Sequence, residues 1–131
     1  MRPLQQSFLR EKPIRGRFFR RSEISLSSWE KQLDPSEYEE KGENVWIARS
    51  ATVAPTASIT GPAIIGRDAE VRHCAFIRGK AIVGEGAVVG NSTELKNAVL
   101  FNKVQVPHYN YVGDAVLGYK SHMGAGSICS T

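Results

Sequence analysis

Three side chains have types and spacing that could do chemistry: Arg78, Lys96 eighteen residues later, and His108. A guanidinium and an ammonium sharing one surface make a phosphate clamp. An imidazole titrates near neutrality, so it can take a proton from a nucleophile without staying charged itself. The other chemistry-bearing residues are less complete. His73 precedes Cys74, and His122 lies seven residues before Cys129, but neither pair is a metal-ligand set, and no metal is expected. Cys129 reads as core filler and His122 as a wall or cleft residue. Gly124-Ala125-Gly126 could let a backbone approach a ligand closely.

The interval between Arg78 and Lys96 has meaning only if the chain returns to the same face every 18 residues, and a repeat makes it do so. Large apolar residues fall every sixth position at Ile47, Val53, Ile59, Ile65, Val71, Ile77, Val83, Val89 and Leu95. The series slips by one to Leu100, continues through Val106 and Val112, slips again to Leu117, and resumes at Met123 and Cys129. Two positions before most of these stands a small residue, such as Ala63, Ala69, Ala75, Ala81 or Ala87. A six-residue period walks around a helix and is too regular for a sandwich with variable turns. It fits a coil of three flat faces, each one short strand and a tight corner. Large and small residues then plug the interior, and successive coils stack about 4.8 Å apart. Glycines that follow many large positions, including Gly66, Gly84 and Gly90, are expected to relieve the corners. About fourteen hexads make four to five coils. Cations that share a phase stack in such a solenoid by arithmetic alone, so the clamp and a solvated surface pair both stay open here.

Residues 1–44 lack the repeat and form a separate segment before a β-helix domain at 45–131. Arg2, Arg10, Lys12, Arg15, Arg17, Arg20 and Arg21 make a basic arm opposed only by Glu11, with Phe8, Phe18 and Phe19 as docking residues. Ser27 and Glu30 form a capping box, and Trp29 with Leu33 shares a helix face, predicting one or two short helices over 23–41 that Pro35 interrupts. The formal charge of +4 permits an anionic partner without demanding nucleic acid. No apolar run is long enough for a signal peptide or a transmembrane segment, and two cysteines cannot build a disulfide framework. Both features point to a cytoplasmic protein.

On these repeats, residues 45–131 resemble the hexapeptide-repeat acyltransferases, which implies a left-handed parallel β-helix, a homotrimer, and an acetyl-CoA or other acyl-CoA donor. Within that class, residues 78–127 are most similar to the acetyltransferase domain of the bifunctional bacterial enzyme that makes UDP-N-acetylglucosamine. The resemblance implies that His108, in the segment VPHYNYVGD, is the catalytic base and that Tyr111 contacts the amino sugar. It assigns Arg78 and Lys96 to the sugar phosphate, with Glu94, Asn91 and Asp114 also in pattern, and leaves His122, Gly124 and Gly126 in the donor or cleft region. His122 and Thr131 stand where the family carries asparagines. The chain reads as a shortened version of a longer relative, without a nucleotide-binding segment in residues 1–44. The implied activity is acyl transfer to the amine of a phosphorylated or nucleotide-linked amino sugar. A noncatalytic sugar-phosphate or nucleotide-sugar binding module and a structural trimerisation scaffold are the alternatives.

Overall fold

The computed structural model describes residues 32–130, and they form a parallel β-helix of about 5 turns. In chain order the strands are β1 (Tyr38–Gly42), β2 (Val45–Ala48), β3 (Thr52–Val53), β4 (Ser58–Ile59), β5 (Ala63–Ile65), β6 (Glu70–Val71), β7 (Phe76–Ile77), β8 (Ala81–Val83), β9 (Val88–Asn91), β10 (Glu94–Leu100), β11 (Gln105–His108), β12 (Tyr111–Leu117) and β13 (Ile128–Ser130).

Every strand from β2 onward pairs in parallel with a strand one coil away. Ile65 lies beside Val83 and Val83 beside Leu100; Val71 lies beside Val89 and Val89 beside Val106; Ile77 lies beside Leu95 and Leu95 beside Val112. These are the large hexad positions, and each column points inward. Ile65, Val71, Ile77, Val83, Val89, Leu95, Leu100 and Val106 are buried in one cluster with Ala63, Ala69, Ala75, Ala81 and Ala87 between them. Burying each large aliphatic side chain is worth about 1.5–3 kcal/mol, so the triangular interior carries the fold.

The corners are built differently from the expectation. Gly66, Gly84, Gly90, Gly113, Gly118 and Gly124 follow large positions, yet none of them has the left-handed backbone that a corner needs. That conformation falls one residue before the small position, at Asp68, Cys74, Lys80, Ser92, Lys103, Tyr109 and Lys120 as well as Gly86 and Gly126. A non-glycine residue there costs about 1–2 kcal/mol, which the ladder bonds on both sides offset. The glycines after the large positions instead relieve crowding between coils. A Cβ on Gly66 would stand 2.8 Å from the Val83 oxygen, and one on Gly90 would overlap the Pro107 carbonyl.

The slips in the repeat have a physical form. In the earlier coils the second face (β4, β7) turns into the third (β5, β8) through a longer corner: Thr60-Gly61-Pro62 in one coil, Arg78-Gly79-Lys80 in the next. In the next two coils the corner loses a residue, so that Asn97 and Asp114 turn it alone, each with φ 50. The two faces then fuse into single seven-residue strands, β10 and β12.

The third face carries a second apolar layer that the hexad does not show. Ile64, Ile82 and Val99 point outward, in register with one another, yet are buried. Tyr38 packs over them with Ala48, and Leu33, Trp46 and Phe101 border the patch. Here the helical expectation for 23–41 is corrected for its described part. Residues 38–42 are strand β1, antiparallel to β2. The open edge of the first coil offers unpaired backbone groups, and pairing there outweighs the weak helical preference of Tyr38-Glu39-Glu40-Lys41. The ion pairs of Glu39 with Lys41 and with Arg49 fasten the strap from outside. The basic arm, the Ser27 capping box and Trp29 lie outside the described residues. Among the described residues, no helix is long and apolar enough to cross a membrane.

Candidate functional site

The outward residues of the second face form two columns. One runs Phe76, Glu94, Tyr111, Ile128 and the other continues from Lys96 to Gly113 to Ser130. The Arg78 amide bonds to the Leu95 carbonyl at 2.8 Å, which sets Arg78 beside Lys96 on adjacent coils. The stacking expected from the 18-residue interval is therefore realised. Arg78 donates to Glu94 at 2.6 Å, and Lys96 reaches Asp114 at 3.4 Å. Both pairs are water-exposed and add little to stability, so an incoming anion can displace the carboxylates at small cost.

Two of these groups, Arg78 and Asp114, are stabilised in their charged forms. The hydrogen bond and charge of Glu94 hold the Arg78 guanidinium above its already high ordinary value. Asp114 accepts from the Asn97 amide at 2.8 Å, and this bond, followed by Lys96 and then Lys80, holds its carboxyl below the usual aspartate range.

The contracted corner makes the concavity. Gly61, Pro62, Gly79 and Lys80 of the longer corners project beyond Asn97 and Asp114 of the shorter ones. With Arg78 and Lys96 they enclose an open groove of about 390 Å³. Lys80 and Asn97 were not singled out among the sequence-derived site residues. The signal that points to them is the slip between Leu95 and Leu100, which marks where the wall steps inward.

Tyr111 stands next to Glu94 in its column, with its ring over Gly113. A Cβ at Gly113 would come within 2.4 Å of the Tyr111 hydroxyl, so the glycine makes the seat for the ring beside Lys96. His108 is on the neighbouring face, around the corner made by Tyr109, and does not line the groove. It ends β11, in register with Asn91, because the residues lost from the repeat are missing at Asn97 and Asp114 rather than near Pro107.

The His108 backbone is held by a buried polar stitch. Asn110 is 3% exposed at a small inward position, where its side-chain oxygen accepts the His108 amide at 3.1 Å. Its nitrogen donates to the Gly124 and Ser127 carbonyls at 2.8 and 3.2 Å, and its backbone amide bonds to Thr93 Oγ1. Among the described residues the exposed His108 imidazole itself has no hydrogen-bond partner.

His122 bridges to Gln105, and Gly126 donates its amide to the His108 carbonyl at 3.0 Å, so the Gly124–Gly126 corner lies one coil beyond His108. His73 is more tied down than its sequence position implies. Its Nδ1 lies 2.7 Å from Thr56 Oγ1 and its Nε2 3.2 Å from Cys74 Sγ. Among the described residues no group of three or more His, Cys, Asp or Glu side chains is placed to hold a metal ion.

The comparisons agree with this geometry at the level of fold. An acetyltransferase domain of PglB from Neisseria gonorrhoeae superposes on 66% of the chain and 43% of that domain, with a TM-score of 0.64 and 20% identity. The bifunctional protein GlmU of Methanococcus maripaludis is 40% identical over 40 residues, and that of Dinoroseobacter shibae 50% identical over the same length. Those matches span 30% of this chain and only 10% and 9% of the two relatives. The chain thus shares the β-helix fold of that acetyltransferase domain. Residues 59–131, more than half of it, match the family described as the GMPPB C-terminal domain, and to that family the chain belongs.

Proposed function

We propose that the groove at the contracted corner binds the phosphate of an amino sugar, and that the chain transfers an acyl group to the sugar amine. Arg78 and Lys96 would take the phosphate, exchanging Glu94 and Asp114 for it, while Tyr111 would pack against the sugar ring. His108, with Asn91 beside it, would take the proton that the neutral amine sheds on attacking the thioester carbonyl of an acyl-CoA donor, and would return it to the thiolate that leaves as the C–S bond breaks. The Gly124–Gly126 corner and His122 would border the donor. Fixing the phosphate supplies orientation for a nucleophile that reacts one corner away. The observation that carries this reading is the meeting of Arg78 and Lys96 on adjacent coils in the groove at the contracted corner; Tyr111, outside the groove lining, stands over Gly113, which neighbours Lys96. That acetyltransferase relatives share this β-helix supports the reaction class. A homotrimer, in which a neighbouring subunit completes each cleft, fits the three-sided solenoid.

A noncatalytic binding module is the second reading, and one observation favours it: among the described residues the His108 imidazole lacks a partner that would orient it as a base. Thiol release from acetyl-CoA across a panel of phosphorylated amino sugars separates the two. Turnover that disappears in His108→Ala, with assembly unchanged, supports catalysis. Glucosamine 1-phosphate binding without thiol release supports the module, and absence of both rejects the groove as an acceptor site.

A further inference from the structure

Away from the groove, one cluster joins a nucleophile, a base and a group that orients the base. His73 and Cys74 turn the corner between β6 and β7, and Thr56 holds the same corner one coil earlier, between β3 and β4. All three residues are exposed. The His73 ring bridges the other two side chains, with Nε2 3.2 Å from Cys74 Sγ and Nδ1 2.7 Å from Thr56 Oγ1. The Cys74 amide donates to the same Thr56 oxygen at 3.2 Å, and the Cys74 carbonyl accepts the Ser92 amide at 3.2 Å. The backbone under the thiol is thus held by the coils on both sides. The two cysteines differ accordingly: Cys129 packs against the core cluster, whereas Cys74 takes no part in it.

The bonding suits transfer of a proton from sulfur to the ring. A threonine oxygen has two lone pairs; one takes the Cys74 amide and the other faces Nδ1. When Nδ1 donates to Thr56, Nε2 presents its lone pair to the Cys74 S–H. Once the proton has moved to Nε2, both ring N–H groups still have an acceptor, Thr56 Oγ1 on one side and the sulfur on the other. A nucleophile, a base and an orienting group within hydrogen-bond reach of one another form the arrangement that activates a side-chain nucleophile, and the thiolate is the form of cysteine that attacks.

We propose that Cys74 is a reactive thiol, with His73 as its base, that exchanges with small-molecule disulfides such as oxidised glutathione. The Sγ proton passes to His73 Nε2, and the thiolate attacks one sulfur of the disulfide. A new Sγ–S bond forms as the S–S bond breaks, and the other sulfur leaves with the electron pair as a thiolate, which takes a proton from the ring or from water. The product is a mixed disulfide at an exposed corner, removable by an added dithiol.

The test uses the full chain carrying Cys129→Ser, which leaves Cys74 as its one thiol. Uptake of glutathione from its disulfide near neutral pH is followed by intact-protein mass, in the folded chain and in the same chain unfolded in urea. Exposure alone makes the folded chain no faster than the unfolded one. The activated thiol is expected to react at least about tenfold faster folded than unfolded, and dithiothreitol to remove the adduct. His73→Gln is expected to bring the folded rate to within about twofold of the unfolded rate. Thr56→Val is expected to slow the folded chain about threefold or more and Thr56→Ser to restore it, which separates orientation of the ring from damage to the fold. A folded rate no greater than the unfolded rate, or a His73→Gln chain as fast as its parent, overturns the proposal. An unchanged rate in Thr56→Val overturns the orienting role of Thr56.

Discussion

Replacing Gly90 by alanine would force apart the two coils that carry Asn91 and His108. An ideal Cβ at Gly90 lies 1.7 Å from the Pro107 carbonyl oxygen, 2.3 Å from its carbon and 2.5 Å from its Cα. Real contacts of this kind do not fall below 3.0 Å, so the strands must separate by more than an ångström, and the obstacle is backbone that cannot rotate away. Bonds across a rung are 2.8–2.9 Å long, as for Arg72 to Val89 and Val88 to Val104, and an opening of that size breaks those between β9 and β11. Overpacking costs about 1–3 kcal/mol and each lost ladder bond about 1 kcal/mol, which together give about 3–5 kcal/mol. For a domain of this size that lowers the melting temperature by about 12–25 °C. Thermal unfolding by circular dichroism reads the loss directly. Gly118→Ala is the control, because its Cβ meets nothing closer than Ser121 Oγ at 3.9 Å. A Gly90→Ala protein that melts within about 2 °C of Gly118→Ala would refute the close stacking of β9 on β11.

Other perturbations separate fold from site. Gly113→Ala should displace the Tyr111 ring, which can swing where a carbonyl cannot; a melting temperature within about 5 °C of wild type with weakened glucosamine 1-phosphate binding is the expected result. Asn110→Ala leaves the Thr93 hydroxyl in place and the Gly124 and Ser127 carbonyls still bonded to the Ser127 and Tyr111 amides, but orphans the His108 amide, and should cost about 1–3 kcal/mol in denaturant unfolding. Asp114 has a depressed folded value, so its contribution is present above the ordinary aspartate range and lost as pH falls through the folded value. Asp114→Asn should therefore flatten part of the acid limb of stability below about pH 4, by a small amount because the pair is water-exposed, in melts followed from pH 6 downward.

The repeat made the interior legible residue by residue, because a β-helix allows only one inward phase per face: Ile65, Val83 and Leu100 line up as their spacing requires. The 18-residue interval likewise placed Arg78 beside Lys96. Three features stayed hidden, each because a nonlocal contact decides it. Ile64, Ile82 and Val99 look like solvent-facing alternates until Tyr38 covers them. Strand β1 exists because the edge of β2 needs a partner, not because Tyr38–Gly42 favours a strand locally. The corner geometry misled for the opposite reason: glycine is the residue most tolerant of a left-handed backbone, but here glycines sit where coils crowd, while Lys80, Asn97 and Asp114 take the strained angles. The slips at Leu100 and Leu117 were visible as irregularities. Only the pairing of the coils shows that they narrow the wall beside the cation pair.

An amino-sugar phosphate that enters the groove where the wall steps inward must perturb the amides around it. Amide chemical shifts of the labelled full chain, followed during titration with glucosamine 1-phosphate, test it most directly. Saturable shifts are expected at Gly79, Lys80, Asn97, Gly113 and Asp114, lost in Arg78→Met and Lys96→Met. Saturable shifts confined to other faces, or shifts at the groove that survive both substitutions, would contradict it.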